Sequence, residues 1–278
     1  MSRRAFAAHL GVRAPDRPLL HHIAGPVAVD RQISVLAAHG FAGVSDNYLL
    51  LRDAATQALI GDAVREHGLR MGSFVHDPLR WNAPGWIDGS ALDSIAATAA
   101  AAARTGSRTV TCITGRVDGE NAAPQRRSMA ETLRRAGDLL EDSGVVLCVE
   151  ATHPAFAPGL LIEQVEEAIE VVTLAAHRQV RLCLDLGHVA LHGRDPVAAI
   201  GMAAGLIGNV QIADVPADGP GRVEPGAGRL DWAAIFAALD AAGYDGLLEL
   251  ELEAAEPGKA GERAMLSRLA GLGLENRG

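Results

Sequence analysis

Four short segments in the second half of the chain end, or nearly end, on residues able to hold a cation or move a proton. They are "LCVEATHP" with Glu150, "LCLDLGH" with Asp185, "VQIAD" with Gln211, and "LELELE" with Glu249 and Glu251. Each follows an apolar run that reads as a strand, in which successive side chains point to opposite faces. If Val145, Leu147 and Val149 face one side, then Val146, Cys148 and Glu150 face the other. By the same alternation Cys183, Asp185, Gln211, Glu249 and Glu251 turn inward, while Leu182, Leu184, Val210, Ile212, Leu248, Leu250 and Leu252 turn outward. Several carboxylates gathered in one interior are very costly without a compensating positive charge. A divalent cation supplies it most directly, and a set of three carboxylates and one amide suits a hard ion, Mg²⁺ or Mn²⁺. For any one of these acids alone, a helix cap or a surface charge is the plainer reading. Their repetition in matching phase favours a shared site.

Such convergence requires neighbouring parallel strands with their carboxyl ends together. Short apolar runs do alternate with alanine- and leucine-rich segments along the whole chain, the pattern of repeated βα units. Strands are expected at 19–24, 40–45, 69–75, 107–113, 144–150, 179–185, 209–214 and 246–252. Helical patterns lie between them, among them "PQRRSMAETLRRAGDLLEDSG" and "DWAAIFAALDAAGYDG". In the second of these Asp231 can cap the start and Gly243 stop the end. About eight βα units in 278 residues predict an α/β fold, a single (β/α)8 barrel over residues 1–278, whose active site lies at the carboxyl ends of the strands. An open doubly wound sheet is the structural alternative.

The net charge of −9, with no concentrated basic run, argues against a nucleic-acid partner. No apolar run reaches the ~20 residues of a membrane span. The opening "MSRRAFAAHLGVRAPDRP" lacks the long apolar core of a leader, so a cytoplasmic protein is expected. Cys112, Cys148 and Cys183 are an odd number without CxxC spacing, which suggests reduced core thiols. Cys148 and Cys183 fall two residues below Glu150 and Asp185 on the same face, where filling the core suits them better than catalysis.

The stretch "IADVPADGPGRVEPGAGRLDWAAIFAALDAAGYDGLLELE" resembles the signature of the hydroxypyruvate isomerase family, which belongs to the xylose isomerase-like TIM barrels. The likeness is specific over residues 209–251 and fainter at "CVEATHP", "CLDLGHVALHGRDP", "SFVHDPLRWNAP" and "EPGKAGERAMLSRLAGL". It implies that Glu150, Asp185, Gln211 and Glu251 hold the metal. It also implies that Glu150 and Glu251 form the acid/base pair, and that His188 and Arg222 contact substrate oxygens. The reaction implied is the interconversion of a short hydroxy-keto acid and its aldehyde isomer through an enediolate, a small-molecule chemistry. A ketose 3-epimerase or inosose isomerase would use the same residues on a longer sugar, and a non-catalytic binding barrel would keep the fold alone. Assembly into a homo-oligomer is left open.

Departures from the family pattern fall beside the substrate. "GVSDNY" offers Ser45 and Asp46 after the second strand, and "EATH" and "DLGH" replace the family's usual residues. Glu249 is a second inward carboxylate, for which the inward Arg181 is a partner. A salt bridge from Arg222 to Glu224 or Asp214 is the plain alternative to a substrate contact, as a structural hydrogen bond is for His188. Otherwise Asp214 and Glu224 are expected to support the loop. His76 and His153 follow strands and are read as loop residues, and His21, His22 and Trp81 are weaker candidates for the site. The extra "ADG" at 217–219 is where the pocket is expected to differ from its relatives.

Overall fold

A computed structural model describes residues 4–275. The first three and last three residues of the expected domain, with the start of the opening segment, lie outside the described residues.

The strands are β1 (Phe6–His9), β2 (Gly43–Ser45), β3 in two pieces (Arg70–Met71 and Phe74–Val75), β4 (Thr109–Cys112), β5 (Val146–Glu150), β6 (Val180–Asp185), β7 (Ile207–Ile212) and β8 (Leu248–Leu250). All their pairings are parallel. The sheet runs from the first piece of β3 through β2, β1, β8, β7, β6, β5 and β4 to the second piece of β3. Its two ends are thus halves of one strand, and the ring closes as the TIM barrel that the residue pattern predicts.

Glu249 explains the break in β3. Its carboxylate enters the barrel and takes the Ser73 backbone N–H at 2.8 Å, along with the Ser73 hydroxyl. A side chain on Gly72 would place its Cβ 2.5 Å from Glu249 Oε1, so any other residue there would push the carboxylate aside. Arg181, the expected partner of Glu249, instead donates to the Gly205 carbonyl at 2.8 Å.

The first strand lies elsewhere than expected. Residues 19–24 form no strand; Leu20 takes a left-handed conformation (φ 62°) and His21–Ala24 makes one helical turn. Pro18 and Gly25 confine that apolar run to six positions, and the Leu19 N–H folds back onto the His9 carbonyl at 2.9 Å. The actual β1, "FAAH", was hidden because alanine has little strand propensity.

Among the described residues eight helices of eight residues or more cover the ring: α1 (Val29–Ala38), α2 (Ala54–Glu66), α3 (Ile95–Thr105), α4 (Ala122–Leu139), α5 (Val165–Ala175), α6 (Pro196–Ala203), α7 (Trp232–Ala241) and α8 (Gly258–Gly271). The expected Asp231 cap forms, accepting from the Ala234 N–H at 3.0 Å. Helix α4 begins at Ala122, two residues before Pro124, because Asn121 caps it and the first turn tolerates proline. Leu147, Val149, Leu182, Leu184, Val210, Ile212, Leu248 and Leu250 are all buried in the core, as their outward phase requires. The inward phase holds too, since the Cys183 thiol donates to Gln211 Oε1 at 3.0 Å. A register shift between Leu182 and Cys183 skips Gly208 in the pairing with β7 and brings Gln211 opposite Asp185. All three cysteines are free and buried. Among the described residues no helix is long and apolar enough to cross a membrane.

Candidate active site

Glu150 and Asp185 are the last residues of β5 and β6, and both are buried. Asp185 also caps the short helix Leu186–Leu191, its Oδ1 accepting from the His188 N–H at 3.0 Å. That turn brings the His188 ring back over the strand ends. His188 Nε2 lies 3.5 Å from Glu150 Oε1 and 3.8 Å from Asp185 Oδ2. Glu150, Asp185 and His188 each place one ligand atom within 4.8 Å of the other two. Gln211 and Glu251 meet beside them, with the Gln211 Nε2–H donating to Glu251 Oε1 at 3.2 Å. Glu251 follows β8 by one residue, its N–H donating to the Ile212 carbonyl at 3.1 Å.

Arg222 stands among these acids. Nη1 donates to Glu251 Oε2 at 2.7 Å, and Nη2 donates to Asp185 Oδ2 at 2.7 Å. Nη2 also lies 2.6 Å from His188 Nε2, while the His153 N–H approaches His188 Nδ1 at 3.2 Å. A neutral imidazole accepts at only one ring nitrogen, so one of these two contacts must be released whenever His188 is neutral. The guanidinium also packs over Phe156, 4.9 Å from the ring centre.

Neither loop acid pairs with Arg222, and both act as loop supports. Asp214 accepts the N–H groups of Val215, Gly226 and Leu230 and the indole N–H of Trp232, at 2.8 to 3.1 Å. Glu224 accepts from the Ala255 N–H at 3.1 Å and from Arg268 on α8 at 2.5 Å.

Charge in this interior is unevenly held. Burial pushes the Glu150 carboxyl above its ordinary range, with Glu251 and Asp185 adding to the effect and His188 opposing it. Burial would raise Asp185 too, but Arg222 and His188 outweigh it and hold the carboxyl low. Burial acts to lower Arg222, yet Asp185, Glu251 and Glu150 raise its pKa, so it stays charged. Asp185 is therefore the standing anion and Glu150 the better proton acceptor. Below them, burial raises Glu249 to about 7.

The charge balance tests the fit of a cation. Glu150, Asp185 and Glu251, when ionised, face the single positive charge of Arg222. The two charges left over are what a divalent ion supplies, and the oxygen-rich donor set suits a hard one. Ligation by Gln211 through Oε1 requires its amide to turn over, with Cys183 then meeting the other end.

Glu150, His188, Arg222 and Glu251 line one cavity of about 490 Å³, together with Asn47, Trp81 and Phe156. Asn47 and Phe156 were not legible as site residues. Asn47 donates to Glu251 Oε1 at 2.8 Å, whereas its neighbour Asp46 is buried against Arg52 at 2.5 Å. An asparagine after a strand reads as a turn, and nothing marks Phe156. His76 is structural, bound to Thr98 at 2.9 Å and to the Ala91 carbonyl at 3.1 Å. His153 packs against His192 with the rings tilted and their centres 4.2 Å apart, and its backbone meets His188. Residues 217–219 are exposed and do not line this cavity, contrary to expectation.

Residues 33–270 match the xylose isomerase-like TIM barrel family. The chain belongs to that family. It is 34% identical over 140 residues to a Streptomyces coelicolor protein provisionally named hydroxypyruvate isomerase, covering 49% of each chain. It is 29% identical over 133 residues to the 2-oxo-tetronate isomerase of Pectobacterium atrosepticum, covering 48% of this chain and 49% of that one. The matched stretches thus span about half the length of these relatives. A solved structure titled AP endonuclease, family 2, from Brucella melitensis superposes with a TM-score of 0.77 at 24% identity over 97% of both chains, a likeness of fold.

Proposed function

We propose that this family member is a divalent-cation-dependent isomerase acting on a small molecule in the cytoplasm. Its reaction interconverts a short hydroxy-keto acid and its aldehyde isomer, of the hydroxypyruvate and tartronate semialdehyde type, through an enediolate. One observation carries the reading. Glu150 and Glu251 stand at the outer two of four consecutive strands, β5 to β8, flank Asp185 and Gln211, and line the same cavity as Arg222. The names of the isomerase relatives support the same chemistry.

Glu150, Asp185, Gln211 and Glu251 are the residues to hold the cation, Mg²⁺ or Mn²⁺. Bound there, it supplies Lewis-acid stabilisation of the negative charge that develops on the substrate oxygens. Glu150 removes the proton from C3, and Glu251 delivers one to C2. The hydroxyl proton passes from O3 to O2, so the product is an isomer with no redox partner required. With Asp185 and Glu251 engaged on the cation, the Arg222 fork turns to the substrate carboxylate. His188 then contacts a substrate oxygen, and Phe156 and Trp81 close off water.

The test uses protein stripped with a chelator and reloaded with Mg²⁺ or Mn²⁺. Hydroxypyruvate turnover in D₂O is expected to place one deuterium at the new C–H position. Turnover of hexuloses or pentuloses in place of short oxo-acids would reassign the chain to 3-epimerisation on the same residues. Inertness toward both substrate classes would point to a binding barrel and overturn the proposal.

A further inference from the structure

Glu253 and Ala254 line the active-site cavity on one side and a second cavity, of about 250 Å³, on the other. The second lies between the turn after β1 and the start of α8. Three residues from two elements meet there. His21 and His22 come from the one-turn helix after β1, and Glu262 comes from α8. One ligand atom of each lies within 4.8 Å of the other two, and the two imidazole rings are 4.0 Å apart. Glu262 is buried and accepts the backbone N–H groups of His22 at 2.9 Å and Ile23 at 2.7 Å. Each of its oxygens keeps a further lone pair.

Taken alone, this is a carboxylate bracing a turn. His9 adds an independent observation. It ends β1, is 2% exposed, and lines the same cavity. Its Nε2 donates to the Leu252 carbonyl at 2.7 Å, which fixes the ring proton there and leaves Nδ1 as a bare lone pair. Nδ1 is buried with no partner. A ring that gives one N–H to a carbonyl and keeps the other nitrogen bare has the arrangement of a metal-binding histidine. His21 is half-buried, and its Nδ1 lies 3.1 Å from the Pro18 carbonyl and 3.7 Å from Glu262 Oε1, so a proton held there leaves Nε2 bare.

We propose that His21, His22 and Glu262 form a second cation site, on the wall of the cavity that His9 also lines. Imidazole nitrogens with a single carboxylate select a borderline ion such as Zn²⁺, in contrast to the oxygen-rich active site. The site serves a structural role, tying the connection after the first strand to the last helix across the β8–β1 seam. It stands independently of the isomerase reading.

The test compares the wild-type protein with His21→Ala/His22→Ala, both stripped with a chelator, dialysed against Zn²⁺ and measured by elemental analysis. The wild type is expected to keep one equivalent more than the variant, and only the wild type to gain thermal stability from that equivalent. Co²⁺ in place of Zn²⁺ is expected to give visible ligand-field bands in the wild type that the variant lacks. Isomerase turnover should be the same in both. Should the double variant fail to fold, His22→Gln serves, with a loss of Zn²⁺ affinity of ~10-fold or more expected, at least the cost of altering an outer-shell partner. Equal Zn²⁺ content in wild type and double variant, or unchanged affinity in His22→Gln, overturns the site.

Discussion

Arg222 lies 2.7 Å from Asp185 through Nη2, while its Nη1 lies 2.7 Å from Glu251, so one guanidinium on a loop is the counter-ion of acids on two strands. In cation-free protein this single side chain is the positive charge that Asp185 and Glu251 share. Removing one partner of a buried pair costs about 3–5 kcal/mol. Arg222→Leu is therefore expected to lower the melting temperature of stripped protein by several degrees, and Mn²⁺ to restore most of the loss. Unchanged melting in the stripped variant would show that Arg222 is not the counter-ion.

Glu150→Gln and Glu251→Gln each keep the shape of the side chain and remove its proton chemistry. Turnover should fall by ~10²–10⁴ in either variant, the range for losing a general acid or base, with the circular dichroism spectrum unchanged. Full activity of Glu251→Gln on every candidate substrate would end its assignment as a proton carrier.

His9 sets an acid limit on stability. Burial lowers its pKa from 6.5 to about 4, so the folded state resists protonation more than the unfolded chain does. The stabilisation is fully present above pH 6.5 and is lost as pH falls through 4. Its size is about 3 kcal/mol at most, from ~1.4 kcal/mol per unit. Urea unfolding of stripped wild type at pH 7.5 and pH 4.5 is expected to show a larger loss than in His9→Gln. Parallel losses would exclude His9 as the source.

Asp214 gathers four donors under the loop that carries Arg222. Asp214→Ala leaves buried N–H groups without an acceptor, and a destabilisation of ~2 kcal/mol or more follows. Limited proteolysis should cut the variant between residues 216 and 221, and KM should rise more than kcat falls. A variant as protease-resistant as wild type would place the loop's order elsewhere.

The inward phase of Glu150, Asp185, Gln211 and Glu249, and seven of the eight strands, were legible because apolar alternation is a local signal. Glu251, one residue beyond β8, continued that phase. The first strand was not, since "FAAH" gains its place from neighbours more than 30 residues away, Ser45 among them. Arg222 could be singled out by its loop, but its partners could not, because Asp185 and Glu251 lie 37 and 29 positions away. Asn47 and Phe156 reach the site only through the closing of the ring.

The interruption of β3 bears on the width of the mouth. Val75 lines the active-site cavity just beyond Gly72 and Ser73, where Glu249 takes the Ser73 N–H from across the barrel. The wall at Val75 is thus tethered by a carboxylate 176 positions distant in the chain. The side chain that ties this broken stave is two residues from Glu251, so the floor beneath the acids and the rim at Val75 share one fastening.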